Sequence, residues 1–306
     1  MKILPFAAAV ALTPALAGIA CATSVQPLER AHAHNDYEHT RPLFDALDNG
    51  FTSVEADVWL VDGQLYVAHD YDEIDTSKTL QSLYLDPLRE MIEANEGSVY
   101  GDGTKMNLLI DVKSSASATW ELLDSVLASY SDIFTAFSTS DGRTDGAVTA
   151  HISGNRDYDA MADSDLRYAG YDGRSNDLLF SDMLDGDLVT MVSQNWTKLF
   201  SWRGVGEMSA TEEQFLADYV AKAHANGQIV RFWNTPDAAG AARDALWAKL
   251  IEHDVDLINT DDLSGLQAFL LANDPNEMAA VPLPGGVWLL GGALAFVGTR
   301  RRRRAA

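Results

Sequence analysis

Cysteine is almost absent from this chain of 306 residues, where Cys21 stands alone. A single thiol excludes a disulfide scaffold and any thiolate metal cluster. Basic residues are scarce as well: 22 Lys and Arg face 45 Asp and Glu, for a formal charge of −23. Such a balance repels phosphate backbones and argues against nucleic acid as a partner. No internal repeat and no low-complexity linker interrupts the middle of the chain before Asp274. With 47% hydrophobic residues the chain is too apolar to be disordered, and it is long enough for one large core.

What is present begins at the two ends. Lys2 is followed by an apolar run from Ile3 to Ala20 and the small residues Ala20-Cys21-Ala22. This pattern predicts an export signal over residues 1–22. A first core helix is the plain alternative, and Cys21 offers a lipid acceptor. At the other end, within residues 276–306, Val281-Pro282-Leu283-Pro284 precedes an apolar stretch from Gly285 to Gly298 and the arginines Arg300 to Arg304. The stretch is shorter than the roughly 20 residues that span a bilayer, and the arginines would hold its end on the cytoplasmic side. Proline motif, apolar segment and basic stop, in that order, resemble the VPLPA-type, PEP-CTERM-like sorting tails that exosortases process in Gram-negative bacteria. Gly285 stands where alanine is usual. The resemblance implies a protein exported to the cell envelope or surface, membrane-held through its C-terminal segment and acted on by an exosortase-like enzyme. A plain tail anchor is the other reading.

Between the ends, over residues 29–275, short β-branched runs alternate with amphipathic stretches. Strands are predicted at Arg30–His34, Ser53–Leu60, Leu108–Lys113, Val148–Ser153, Leu166–Tyr171, Leu188–Ser193, Ile229–Trp233 and Leu257–Thr260. Helices are predicted between them, among them Leu80–Ala94, a weak one near Leu178–Met183, and Ala210–Ala225 with a Ser209/Glu212 capping box. Eight such units predict an α/β fold, a (β/α)8 TIM barrel. Asp62-Gly63 between two alternating runs adds a small β-hairpin after strand 2.

The chemistry-bearing residues sit at the predicted strand ends. In Ser53–Trp59, alternation puts Glu55 and Asp57 on one face and Val54, Ala56 and Val58 on the other. Two carboxylates on one apolar strand repel, and a divalent cation compensates them with oxygen ligands alone; solvated acids at a strand end are the bland alternative. Asp111 closes an apolar run and Lys113 follows on the same face, as a barrel-top site or a structural ion pair. His32 and His34 alternate on the first strand, and His69 closes Leu65–Asp70. Imidazole exchanges protons near neutral pH. Three carboxylates for a hard cation and two imidazoles on one rim suit cleavage of a phosphodiester, because a cation neutralises the non-bridging oxygens.

The strings Ala33-His34-Asn35, Val54–Val58, Asp62-Gly63 and Val67–Asp70 resemble the opening of glycerophosphodiester phosphodiesterases, TIM barrels of the phosphatidylinositol-phospholipase-C-like superfamily. His32–Tyr37 is similar to the branch described as AIM6-like, as are Trp196, Trp202-Arg203-Gly204, Arg231–Asp237 and Asp256–Asp262. The resemblance implies a metal-dependent phosphodiesterase holding one divalent cation, Ca2+ or Mg2+, with Glu55, Asp57 and Asp111 as ligands. His69 becomes the general acid to the leaving alcohol and His34 the base or nucleophile, with His32 a rival. Lys113 would lie near the substrate phosphate, and Trp233 would wall the alcohol or sit in the core. Asp261 and Asp262 would support the site or cap a helix. Two departures stand out: Asn35-Asp36 replaces the usual Arg-Gly, and Asp111 replaces the usual Glu, as in sphingomyelinase D. The implied substrate is a glycerophosphodiester or a phospholipid head-group phosphodiester, met as a small diester or a lysophospholipid. A lyase giving a cyclic phosphate and a non-catalytic surface binding module remain as alternatives.

Overall fold

The computed structural model describes residues 25–180 and 186–280. The predicted export signal with Cys21, and the tail motif from Val281 onward, lie outside the described residues, as does the end of the helix expected near Leu178–Met183.

The chain alternates strands with helices, and its eight longest-range partners are β1 (Leu28–Ala33), β2 (Phe51–Val61), β3 (Met106–Val112), β4 (Val148–Gly154), β5 (Ala169–Gly173), β6 (Val189–Asn195), β7 (Ile229–Trp233) and β8 (Leu257–Thr260). Each pairs in parallel with its chain neighbours, and β8 returns to β1 through Ala31↔Ile258 and Ala33↔Thr260. The sheet closes into the expected (β/α)8 barrel. β7 and β8 span the residues that their patterning indicates.

Local rules account for the elements that shape the site. Ser209 accepts from Glu212 N and opens the helix Ala210–Ala225, whose buried stripe is Leu216, Tyr219, Val220 and Ala223. Burying each of its larger side chains is worth about 1.5–3 kcal/mol. After β2, Asp62 and Gly63 both take positive φ (48° and 77°), the requirement of a type I′ turn. The strand Gln64–Val67 then runs back antiparallel to β2, with Val58 opposite Val67.

Two expectations are corrected. The helix expected over Leu80–Ala94 opens with one wide turn, Gln81–Leu85, and becomes α-helical at Asp86–Ala94. Pro87 has no N–H for the carbonyl four residues back, which disfavours a regular α-turn there. The strand expected over Leu166–Tyr171 is split: Leu166–Arg167 joins Ala136–Ser138 and Gly142–Thr144 in a small antiparallel sheet, and the barrel strand starts at Ala169. Its partner in that small sheet is remote in sequence.

Apolar side chains on the outer face of the barrel, including Val54, Ala56, Val58, Leu108, Ile110, Val230 and Phe232, pack under the helices in the main core. Inside, Leu109, Met191 and Leu257 form a separate small cluster with Ile229. The rest of the interior is polar: His32, Ser53, Glu55, His151, Ser153, Asp172, Ser193, Arg231 and Asn259 are all buried. His151 lies between Thr190 Oγ1 (2.8 Å from Nδ1) and Asn107 Oδ1 (3.0 Å from Nε2). Burial pushes its pKa down to about 4. An unfolded histidine titrates near about 6.5, so between those values the unfolded chain binds a proton that the folded chain refuses. The stability that His151 contributes is therefore complete above about pH 6.5 and is lost as pH falls toward about 4, roughly 3 kcal/mol in all. In urea titrations at pH 7 and pH 5, His151→Gln should be less stable than wild type at pH 7 but lose less on acidification. Equal losses in the two proteins would remove this account.

Candidate active site

β2 carries the site because its alternation is unbroken through the barrel. Val54, Ala56 and Val58 face the helices, so Glu55 and Asp57 face inward at 6% and 1% exposure. Parallel register sets Asp57 beside Asp111 on β3, and Asp111 beside Ser153 on β4. Gly154 makes room there: with φ at +66°, a Cβ would sit 2.4 Å from Asp111 Oδ1. Glu55, Asp57 and Asp111 each bring an oxygen into one group whose atoms lie within 4.8 Å of one another.

Two cations balance the charge, one from across the barrel and one from the end of the neighbouring strand. Arg231 on β7 donates from Nη2 to Glu55 Oε2 (3.1 Å) and from Nε to Asn259 Oδ1 (2.9 Å). Lys113 Nζ lies 2.9 Å from Asp57 Oδ2 and 3.1 Å from Asp111 Oδ1. Burial alone would lower the Lys113 pKa, but the two carboxylates raise it and keep the ammonium charged. Burial would likewise raise the Glu55 pKa, yet Arg231 holds it well below the usual carboxylate range. Asp57 fares differently: burial, then the neighbouring Glu55 charge, push it up to about 6 despite Lys113. Its Oδ1 is buried without a hydrogen-bond partner. A raised acid with an idle oxygen marks a place short of positive charge, and oxygen donors of this kind suit a hard divalent cation. The three carboxylates therefore fit the cation that the sequence resemblance implies.

The two histidines flank this group. His34 Nδ1 lies 2.7 Å from Asp261 Oδ1, while its Nε2 faces Glu55 Oε2 at 3.8 Å. Burial would depress the His34 pKa, but the bond to Asp261 and the Glu55 charge outweigh it and raise it. The hairpin brings His69 back over β2, where its Nδ1 lies 3.0 Å from Asp57 Oδ2. In each ring Nδ1 faces an acceptor-only carboxylate, which assigns the proton to Nδ1 and leaves Nε2 as the exchanging atom. His32 lies deeper: it is fully buried, bonded through Nδ1 to Ser53 Oγ (2.7 Å), and burial pushes its pKa down to about 3.

The other motif residues divide cleanly. Trp233 lies two residues beyond Arg231 on β7, half-buried on the same face. Asn234 turns away to Asn195 Oδ1 (3.1 Å) and Thr197 Oγ1 (3.3 Å). Asp262 caps the helix Leu263–Asn273 and pairs with Arg243 (2.7 Å), leaving the contact with His34 to Asp261. Trp196 is a core residue stacked on Phe200, and Gly204 allows its loop to touch Ala242 O. Sequence reasoning did not assign roles to Arg231, Asp172 or Arg174. Asp172, fully buried, accepts from Ser153 Oγ (2.8 Å), Ser193 N (2.9 Å) and Arg174 Nη1 (2.6 Å), and so builds the far wall of the barrel mouth. A lone charge within an apolar strand, Asp172 in β5 and Arg231 in β7, was the available signal.

Residues 20–172 match the family described as "AIM6-like phosphodiesterase domain". "Altered inheritance of mitochondria protein 6" of Eremothecium gossypii is 30% identical over 275 residues, covering 80% of this chain and 70% of that protein. Its counterpart in Kluyveromyces lactis is 31% identical, over 79% of this chain and 72% of that protein. The chain belongs to the AIM6-like phosphodiesterase family. Among solved structures, a glycerophosphoryl diester phosphodiesterase from Parabacteroides distasonis aligns with a TM-score of 0.45 and 11% identity, over 82% of this chain and 88% of that one. The AIM6-like match takes in His34, Glu55, Asp57, His69, Asp111 and Lys113, whereas Arg231 and Asp261 lie beyond it.

Two measurements probe the charge balance. Arg231→Met leaves Glu55 buried and unpaired, at a cost of about 3–5 kcal/mol in urea unfolding, and adding Glu55→Gln should recover most of it. If Arg231→Met costs less than about 1 kcal/mol, the pair is not what holds Glu55. For the cation, millimolar Ca2+ or Mg2+ should raise the wild-type Tm by a few degrees. Asp57→Asn should abolish most of that rise, and an undiminished rise would place the ion elsewhere.

Proposed function

We propose that this AIM6-like protein is an exported, metal-dependent phosphodiesterase that cleaves small glycerophosphodiesters. The observation that carries the reading is the pair of imidazoles, each tied at Nδ1 to a carboxylate and both set against one three-carboxylate group, His34 through Nε2 on Glu55 and His69 through Nδ1 on Asp57. A bound divalent cation would supply Lewis-acid neutralisation of the phosphate oxygens. Glu55, Asp57 and Asp111 would hold it, and Lys113 would add a point charge beside the phosphate. His34 takes a proton at Nε2 from the attacking hydroxyl, and Asp261 stabilises the imidazolium that forms. His69 enters the step as the imidazolium, delivers its Nε2 proton to the leaving alcohol and keeps Nδ1–H on Asp57. Trp233 forms a wall of the alcohol site.

The attacking hydroxyl decides the product: water gives hydrolysis, and a hydroxyl of the substrate gives a cyclic phosphate. The Asp111-Val112-Lys113 string keeps the second outcome in play, since it resembles the lyase-type branch.

Small diesters are preferred over bilayer lipids for a geometric reason. Gln26 donates to Glu277 O (2.9 Å) and Glu29 N donates to Glu277 Oε1 (2.9 Å), so the helix Pro275–Ala280 lies beside the start of β1. That is the end of the barrel opposite His34 and Asp111. A sorted or anchored tail continuing from there would hold the cell-surface protein by its base and turn the catalytic mouth away from the membrane. Among the described residues no helix is long and apolar enough to cross a membrane, and the anchor in this reading is residues 285–298.

The test is product analysis by phosphorus NMR on glycerophosphocholine, glycerophosphoethanolamine and lysophosphatidylcholine, with Ca2+, Mg2+ or EDTA. Turnover of the soluble diesters should need a cation, and His34→Ala and His69→Ala should each lose about 10²–10⁴-fold. Wild type as inert as both variants under every condition would reject the enzyme reading.

A further inference from the structure

The turn that replaces the usual Arg-Gly after the first histidine has a function of its own. Asn35 takes φ of 48°, in the left-handed region that asparagine tolerates better than most residues. Asp36, wholly buried, accepts from Leu43 N (2.6 Å) and Tyr84 Oη (2.8 Å) and pins the loop to the barrel wall. Between these two anchors, the Tyr37 side chain enters the site at 8% exposure. Its hydroxyl lies 2.6 Å from Asp57 Oδ2, 3.0 Å from His69 Nδ1 and 2.9 Å from Asn35 Oδ1. Asn35 Nδ2 in turn donates to Asp261 Oδ1 (3.4 Å), the oxygen that holds His34.

We propose that Tyr37 is a positioning residue that orients both Asp57 toward the cation and His69 toward the leaving group. The argument is one of hydrogen-bond capacity. Asp57 Oδ2 meets three donors: Tyr37 Oη, Lys113 Nζ and His69 Nδ1. With Oδ2 so engaged, the carboxylate cannot rotate without breaking three bonds, and Oδ1 is the oxygen left for a ligand. A carboxylate oxygen accepts, so the Tyr37 phenol at 2.6 Å is the donor to Asp57. Its oxygen then shares the His69 Nδ1–H with Asp57 Oδ2, which keeps Nδ1 protonated and leaves Nε2 as the nitrogen that exchanges its proton with the cleft. His69 is half-exposed on a hairpin, so the phenol and Asp57 are what orient its ring. The inference rests on the proposed phosphodiesterase reading for its kinetic consequence, but not for its binding and spectroscopic ones.

The experiment compares Tyr37→Phe with Tyr84→Phe in the full chain. Both remove a buried tyrosine hydroxyl serving the same loop, but only Tyr37 touches Asp57 and His69. Support for an ion through its ligand's hydrogen-bond partner is typically worth about 10–100-fold in affinity or rate. Tyr37→Phe should therefore weaken Ca2+ or Mg2+ binding in calorimetry about 10-fold or more and lower kcat by a similar factor with KM nearly unchanged. It should also shift the His69 ring nitrogens in 15N NMR spectra from one tautomer to a mixture. Tyr84→Phe should lower stability and move none of these. Unchanged affinity and unchanged His69 signals in Tyr37→Phe would overturn the assignment, as would equal losses in Tyr84→Phe. Should Tyr37→Phe not fold, the wild-type spectrum decides: a slowly exchanging Tyr37 hydroxyl proton coupled to the His69 ring supports the proposal, and a freely exchanging one refutes it. If the wild type turns over no diester, calorimetry and NMR still judge Tyr37, and only the functional reading falls.

Discussion

Two carboxylates inside a barrel set the terms for everything around them. Removing an ionised carboxylate from water costs several kcal/mol even after relaxation. Glu55 and Asp57 are both nearly inaccessible and face the same interior. Arg231 crosses from β7 to meet one, and Lys113 reaches from β3 to meet the other. The compensation is uneven. Glu55 is held well below the usual carboxylate range while Asp57 is pushed up to about 6, so the interior retains a place for further positive charge. A barrel lined with branched aliphatic residues would be easier to stabilise. Here aliphatic packing is moved outward, under the helices, and among the described residues the small cluster of Leu109, Met191, Leu257 and Ile229 plugs the inside.

The same constraint explains why the site is assembled from both ends of the described chain. The β1 loop supplies His34, Asn35 and Tyr37, the hairpin after β2 supplies His69, and the segment after β8 supplies Asp261. β1 lies between β2 and β8 only because the barrel closes. Closure is thus a condition of the chemistry: without it, His34 would lose its carboxylate and Glu55 its guanidinium.

Much of this was legible in sequence, because alternation is a local signal. The period of two in Val54–Val58 places Glu55 and Asp57 on one face whatever the partners are. Asp62-Gly63 announces its own turn through the two positive φ values it needs. Arg231 stands in the sequence without an assigned partner, because Glu55 is 176 residues away and no local pattern connects them. Asp261 and Asp262 could not be separated by spacing. Their backbone positions are adjacent, and only the closed barrel shows that one turns to His34 and the other to Gly265 N. His32 and His34 share a face, and only depth within the barrel separates the fully buried ring from the one that reaches Asp261. The split of Leu166–Tyr171 likewise depends on Phe137 and Ser138, which no period in that segment reveals.

Charge on the scale of the molecule bears on what enters the mouth. A body this acidic repels anions at long range, with a reach set by a Debye length of about 8 Å at physiological ionic strength. The cations that face the mouth are inside that length of the site: Lys113 and Arg174 are partly exposed at the rim, and Arg231 lies beneath. An approaching phosphodiester therefore meets net repulsion until it is close, then a concentrated set of donors. Arg174 is held in place by Asp172 and Ser153, so its charge stays at the rim and does not extend into solvent. Such an arrangement favours ligands of single negative charge over surfaces of many, because repulsion from the body grows with every added charge while the donor set is fixed.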